Sequence, residues 1–222
     1  MYTANWTDNF TMIGEIKVPL PDMPPEREMI NHGLHPLKQK FKREVVPNMA
    51  SWPSHKIEEY VRKQWWRRKN GEWWLIKGIP MYIPGAAIVF FDFWTLQGGG
   101  KPTFKIEALE FFQILLRVER DPNVMGLFDM KVRRIGDTEK IMCWVWVRTT
   151  GTKNVNAGLQ SYTKEEGEKN FRRLAKGNRN MPFFFKPIHS GSDANCLAFM
   201  KPAEIVSMKK IIEKAGKIDV NI

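Results

Sequence analysis

Beyond Gly98-Gly-Gly100 the chain alternates between helical and strand-like periodicity, and that order constrains the fold more than any other feature. Residues 106–119 place Ile106, Leu109, Phe112, Leu115, Leu116 and Val118 at the spacing of an amphipathic helix. Asp121-Pro-Asn123 turns the chain into Val124-Met-Gly-Leu-Phe-Asp-Met130, which reads as a strand. Ile141-Met-Cys-Trp-Val-Trp-Val147 follows as a helix whose first turn is marked by Thr138 and Glu139. Residues 155–160 read as a second strand. Residues 163–176 read as a further helix, with Thr163 and Glu166 placed as a capping box. Strand, helix, strand, helix in this order implies an α/β fold with a parallel sheet and right-handed crossovers.

The first half has a different character. Pro19-Leu-Pro21 and Pro24-Pro25 block regular structure, so residues 1–50 are expected to be an extended arm with little core of its own. Residues 51–100 form an aromatic-rich subdomain: Ser54 caps a helix over 55–69 that Asn70-Gly71 ends, and strands follow at 72–77 and 81–94 around Gly78-Ile-Pro80. The α/β part then occupies residues 101–222.

An apolar fraction of 43%, with 9 Trp and 14 Phe, supplies a core. Lys and Arg outnumber Asp and Glu by 35 to 24, and the net charge of +11 favours a polyanionic partner. Residues 1–30 lack the charged-then-apolar pattern of a signal peptide, and Pro80, Pro84 and Asp92 interrupt the most hydrophobic run, so no membrane span is expected. Cys143 and Cys196 suggest neither a disulfide framework nor a zinc site, which fits a soluble intracellular protein. His32 and His35 lack a partnering Cys or acidic cluster, and no Ser-His-Asp order or paired carboxylate favours another hydrolase chemistry.

The segment Lys131-Val-Arg-Arg-Ile-Gly-Asp-Thr-Glu-Lys140 sits between the expected strand and helix. Strand, basic glycine turn, hydroxyl residue and helix describe a phosphate-binding loop, in which backbone amides and a helix N-terminus converge on phosphates. Gly136 permits the close approach, Thr138 would place its hydroxyl on Mg²⁺, and Lys131, Arg133 or Arg134 would neutralise the γ-phosphate. Asp137 stands where an ordinary Walker A motif has Lys, so its carboxylate must turn to solvent or to Lys140. The competing reading is a plain helix cap.

Arg62-Lys-Gln-Trp-Trp-Arg-Arg-Lys69, continuing to Trp73-Trp74, interleaves cations with aromatic rings as nucleic-acid surfaces do. A tryptophan core face is the favoured reading of the tryptophans, while the arginines stay open between a solvated face and a nucleic-acid contact. Lys169, Arg172, Arg173, Lys176 and Arg179 form a second, solvated basic face, and Phe183-Phe-Phe185 a packing loop.

From about Trp65 the chain resembles the N-terminal ATPase part of a phage large terminase, of the form found in crAss-like phages. The resemblance rests on Trp65-Trp-Arg-Arg-Lys-Asn-Gly71, Tyr82-Ile-Pro-Gly85, Phe90-Phe-Asp-Phe-Trp94, Lys131-Val-Arg-Arg-Ile-Gly-Asp-Thr138, Asn154-Val-Asn-Ala-Gly-Leu-Gln-Ser161, Asn170-Phe171 and Pro182-Phe-Phe-Phe-Lys-Pro187. It implies a P-loop NTPase of the RecA-like (ASCE) kind, an incomplete parallel sheet, and ATP and Mg²⁺ as cofactors. In the family's altered Walker A motif the basic residue comes early. That pattern makes Lys131 and Arg134 the catalytic phosphate contacts and Thr138 the metal contact, with Arg133, Ile135, Gly136, Asp137 and Glu139 completing the loop. Gln113 corresponds to the family's adenine-recognising Gln; an exposed polar position on an amphipathic helix is the plainer reading. Double-stranded DNA, the portal protein and the terminase small subunit are the implied partners, in a homo-oligomeric ring in the cytoplasm of an infected bacterial host. An acidic Walker B strand and a nuclease domain do not appear, so the chain corresponds to the front portion of a terminase and is expected to hydrolyse little ATP. A non-catalytic nucleic-acid-binding or assembly module that keeps the truncated fold is the alternative.

Overall fold

The computed structural model describes residues 10–31, 43–76, 78–124, 126–127, 137–152, 155, 157–158, 160–187, 189–192 and 196–199. Among these it is a mixed α/β structure of five helices and small sheets. Strands β1 (Phe10–Ile13) and β2 (Ile16–Pro19) make an antiparallel hairpin. Strand β3 (Ile30–Asn31) lies parallel to β4 (Glu72–Ile76), which pairs antiparallel with β5 (Ile79–Ile83). Helix α1 (Ser54–Asn70) precedes β4, and α2 (Gly85–Ile88) runs on as a π-helical segment, Val89–Phe93, after β5. Helices α3 (Ile106–Arg120), α4 (Asp137–Gly151) and α5 (Lys164–Arg179) follow, then an antiparallel pair, β6 (His189–Ser192) and β7 (Cys196–Phe199). No helix among the described residues is long and apolar enough to cross a membrane.

The period-two geometry of β4 and β5 divides the interior. Successive strand side chains point to opposite faces. Trp74, Ile76, Met81 and Ile83 therefore enter the main core with α2, α3 and α4, while Trp73, Leu75 and Tyr82 enter a smaller cluster. Val18, Leu20 and Met29 complete that second cluster. The described part of the N-terminal segment thus packs over β4 and β5 through these three side chains. Burying each of these three side chains contributes about 1.5–3 kcal/mol.

Three expectations need correction. Residues 81–94 are a strand only as far as Ile83; Pro84, with φ −56° and ψ 148°, starts α2 instead. A continuous apolar run has no period, so a buried strand and a buried helix look alike in sequence. Ser54 is the first residue of α1, not its cap, because Pro53 holds the capping position with no side-chain bond. The described residues of the expected strands, Val124, Gly126 and Leu127 in one and Val155, Ala157, Gly158 and Gln160 in the other, are not in strands; the rest of both segments lies outside the described residues. By contrast α3 starts at Ile106 as its periodicity requires. Thr163 caps α5 through its hydroxyl, which accepts from the Glu166 amide at 3.2 Å.

Aromatic rings fill the space between α2 and the three later helices. Trp94 and Trp146 are fully buried with ring centroids 6.5 Å apart, and Phe91 meets Phe104 at 4.9 Å. Helix α5 can approach Trp94 because residue 177 is Gly: a Cβ there would lie 2.2 Å from the indole ring. Replacing a helical Gly by Ala ordinarily gains up to about 1 kcal/mol, but displacing a buried indole costs roughly 1–3 kcal/mol. Gly177→Ala is therefore expected to destabilise, whereas Gly167→Ala in the same helix, whose Cβ would meet only Ser161 at 3.9 Å, is expected to stabilise. Urea unfolding of the two variants against wild type checks the opposite signs.

Candidate functional site

The last two turns of α1 bury a polar stripe. Gln64, Arg67 and Arg68 stand at helical spacing i, i+3, i+4, and Arg67 and Arg68 are only 4% and 5% exposed. Trp65 and Trp66 are instead 36% and 57% exposed. This overturns the expected tryptophan core face, and it puts inside two arginines whose role the sequence leaves open. The stripe is buried because each of its groups finds a hydrogen-bonding partner or an aromatic wall from another element.

Arg67 has carboxylates. Its Nε and one terminal nitrogen donate to the two oxygens of Glu72 at 2.9 and 2.6 Å, and the same terminal nitrogen reaches Asp92 at 3.1 Å. The other donates to Gln64 Oε1 at 2.8 Å and lies 3.8 Å from Glu44. The Glu44 amide in turn donates to Asp92 at 3.1 Å. Burial by itself would lower the Arg67 pKa, but the Glu72 hydrogen bonds, with the charges of Glu72, Asp92 and Glu44, raise it above its ordinary value. Burial pushes Asp92 up to about 6 against the opposing pull of Arg67. Burial and the adjacent Glu44 raise Tyr60 as well. The cluster joins α1, the start of β4, the π-helical segment and residue 44 at one point.

Arg68 has aromatic rings. One residue further, about 100° around the helix, its guanidinium carbon sits 4.6 Å from the Trp65 ring, 4.7 Å from Trp146 and 5.3 Å from Phe185. One terminal nitrogen donates to Val147 O at 2.9 Å and to the Thr150 hydroxyl, so it caps the C-terminal carbonyls of α4. The other terminal nitrogen is buried with no hydrogen-bond partner. No ion pair with a carboxylate compensates Arg68 among the described residues, and burial lowers its pKa to about 10. Arg68 borders a cavity of about 500 Å³ between α1, α3 and α4, walled by Trp65, Trp66, Trp144 and Leu115 and rimmed by Arg62 and Arg148.

The residues expected from sequence lie elsewhere. Lys131, Arg133, Arg134, Ile135 and Gly136 are outside the described residues, as are His32 and His35. Helix α4 begins at Asp137, with Thr138 and Glu139 in its first turn. Glu139 is held by the Trp94 indole N–H at 3.1 Å and the Gln97 amide at 3.0 Å, and it lies 3.8 Å from Arg173 of α5. Arg173 also donates to the Gln97 side chain at 2.7 Å, and Lys176 to the Gln97 carbonyl at 2.6 Å. The face expected to be merely solvated thus sends two cations toward the first turn of α4. Gln113 is 0% exposed and donates to Tyr82 O at 2.8 Å, which corrects the plainer expectation of an exposed position. Phe111, roughly 200° away around α3, meets α4 under Lys140 at 4.6 Å.

Comparison with known proteins identifies no relative. No family model, no curated protein and no solved structure matches the chain. Chemistry must therefore be argued from the residues. Cys143 is buried and its thiol is raised well above the ordinary range by that burial, so it is no nucleophile. No group of three or more His, Cys, Asp or Glu is placed to hold a metal among the described residues. What the structure offers is the start of α4, where Glu139 faces Arg173, and a cationic pocket at Arg68. The Arg67–Arg68 region was missed in sequence, although a lone acid inside Phe90-Phe-Asp-Phe-Trp94 signals a buried partner.

The Asp92 shift has a defined pH consequence. A carboxyl raised in the folded state binds its proton more tightly there than in the unfolded chain, so its contribution to stability is full below about 3.8 and lost as pH rises through about 6. The stability of wild type relative to Asp92→Asn should therefore fall by roughly 2 kcal/mol between pH 4.5 and pH 7. Urea unfolding of both proteins at the two pH values measures it; a constant difference would show that Asp92 is not held up.

Proposed function

We propose that the chain is the ATP-binding part of a phage large terminase, which powers packaging of double-stranded DNA into the prohead. The observation that carries this reading is the start of α4 at Asp137, the residue after Gly136 of the basic glycine segment. The first amides of a helix are unpaired and carry partial positive charge, which suits a phosphate. Thr138 lies in that first turn, where a magnesium-contacting hydroxyl belongs, and Arg173 and Lys176 add positive charge close by. On this reading the fold is of the P-loop NTPase kind, Lys131 and Arg134 hold the terminal phosphates, and Thr138 holds Mg²⁺. ATP supplies the phosphoanhydride whose cleavage drives the motor. The portal protein, the small subunit and further copies in a ring are the corresponding partners, within the infected bacterial cytoplasm.

A second reading, a nucleic-acid-binding or assembly module without turnover, draws on the exposed Trp65 and Trp66 beside Arg62 and Lys69. Titration of a fluorescent ATP analogue, with and without Mg²⁺, separates the two. Under the terminase reading Lys131→Ala weakens nucleotide binding at least tenfold, about 1.4 kcal/mol. Thr138→Ala removes the Mg²⁺-dependent part of the affinity. Unchanged affinity in both variants would overturn the loop assignment and leave the second reading.

A further inference from the structure

From the cavity at the end of α1, we infer that this protein has a second ligand site, for a small aromatic molecule bearing a phosphate or carboxylate group, with Arg68 as its inner anchor. A buried guanidinium ordinarily has a counter-charge, because an uncompensated buried ion costs several kcal/mol. Arg67 satisfies this rule with Glu72 and Asp92 at 2.6 and 3.1 Å. Arg68, equally buried, has rings, one carbonyl and a hydroxyl but, among the described residues, no carboxylate, and one of its terminal nitrogens has no acceptor there. An oxyanion in the adjoining cavity would supply the missing charge.

The lining agrees with this. Arg62, Arg68, Lys69 and Arg148 face the cavity against a single carboxylate, Glu119. That carboxylate is already engaged, accepting from the Trp144 indole at 2.6 Å and pairing with Arg148 at 3.4 Å. The remaining wall is aromatic and aliphatic, and half-exposed indoles provide flat faces on which a planar ring can stack. A volume of about 500 Å³ suits a ligand of nucleoside monophosphate size.

This site is not the proposed nucleotide loop. The cavity borders Trp144, Val147, Arg148 and Gly151 in the second half of α4, whereas the loop leads into its first residue, Asp137. At 1.5 Å per residue the cavity wall on α4, from Trp144 to Gly151, lies about 10 to 21 Å along the helix from Asp137.

Isothermal titration calorimetry of the full chain with adenosine monophosphate, indole-3-acetate, inorganic phosphate and adenosine tests the inference. Saturable binding of adenosine monophosphate or indole-3-acetate is expected. Inorganic phosphate should compete, and uncharged adenosine should bind at least tenfold more weakly than its monophosphate. Arg68→Lys, which keeps the charge but loses the planar fork, should raise Kd at least tenfold. Ala86 also lines the cavity, so Ala86→Leu, which narrows it and leaves Arg68 in place, should raise Kd at least tenfold, and it decides the matter if Arg68→Lys does not fold by circular dichroism. Lys131→Ala should leave this binding unchanged even if it abolishes ATP binding. The inference is overturned if neither aromatic anion saturates, if adenosine binds as tightly as its monophosphate, if folded Arg68→Lys and Ala86→Leu bind like wild type, or if Lys131→Ala removes the signal.

Discussion

Two neighbouring arginines, buried at the end of one helix, organise this molecule. Removing a guanidinium from water is costly, and it is tolerated only where hydrogen bonds and opposite charge replace the lost hydration. Arg67 meets that condition by drawing Glu72, Asp92, Gln64 and Glu44 to one point. The start of β4, the π-helical segment and residue 44 are thereby fixed relative to α1. A buried ion cluster of this kind is weak evidence for net stability, since a well-packed apolar substitute often does as well. We regard its role here as one of register: α1 and α2 can approach only in the arrangement that lets the carboxylates reach Arg67.

Close approach is also what the aromatic core requires. At Gly85 a Cβ would lie 1.8 Å from the Arg68 carbonyl, so the end of α1 sits directly on the beginning of α2. Gly177 admits Trp94 in the same way on the far side. Between these contacts Trp74, Trp94, Trp146, Phe91, Phe104 and Phe112 are fully buried. Trp94 also links this packing to the start of α4 through Glu139, so the helix end proposed to hold phosphate is seated on the rigid core rather than on a loop. Arg68, packed against Trp146 near the other end of the same helix, makes α4 the element that both candidate sites share.

Much of the secondary structure was legible in the sequence. The apolar spacing from Ile106 marked α3, Thr163 and Glu166 marked the start of α5, and Asn70-Gly71 marked the end of α1, where Gly71 takes φ +71°. Local chemistry decides such features: caps, left-handed glycines and period-3.6 stripes depend on residues a few positions apart. The candidate site was legible only in part. Thr138 and Glu139 lie in the first turn of a helix as expected, but no local pattern signals that Glu139 faces Trp94, Gln97 and Arg173. Nor did the sequence distinguish Gln113 as an exposed polar residue or a ligand contact from what the structure shows, a buried side chain bonded to Tyr82 O.

By itself, then, the amino-acid order determined the helices with clear stripes and caps, the excess of positive charge, and the hydroxyl-led start of α4. Only the tertiary structure decided that residues 85–93 are helical, that Val18, Leu20 and Met29 cover β4 and β5, and that Arg67 and Arg68 lie inside while Trp65 and Trp66 face outward. The reason is physical. Burial of a charge depends on partners distant in sequence, and Asp92 and Val147 stand 25 and 79 residues from the arginines they contact. No local pattern around residues 62–69 carries that information.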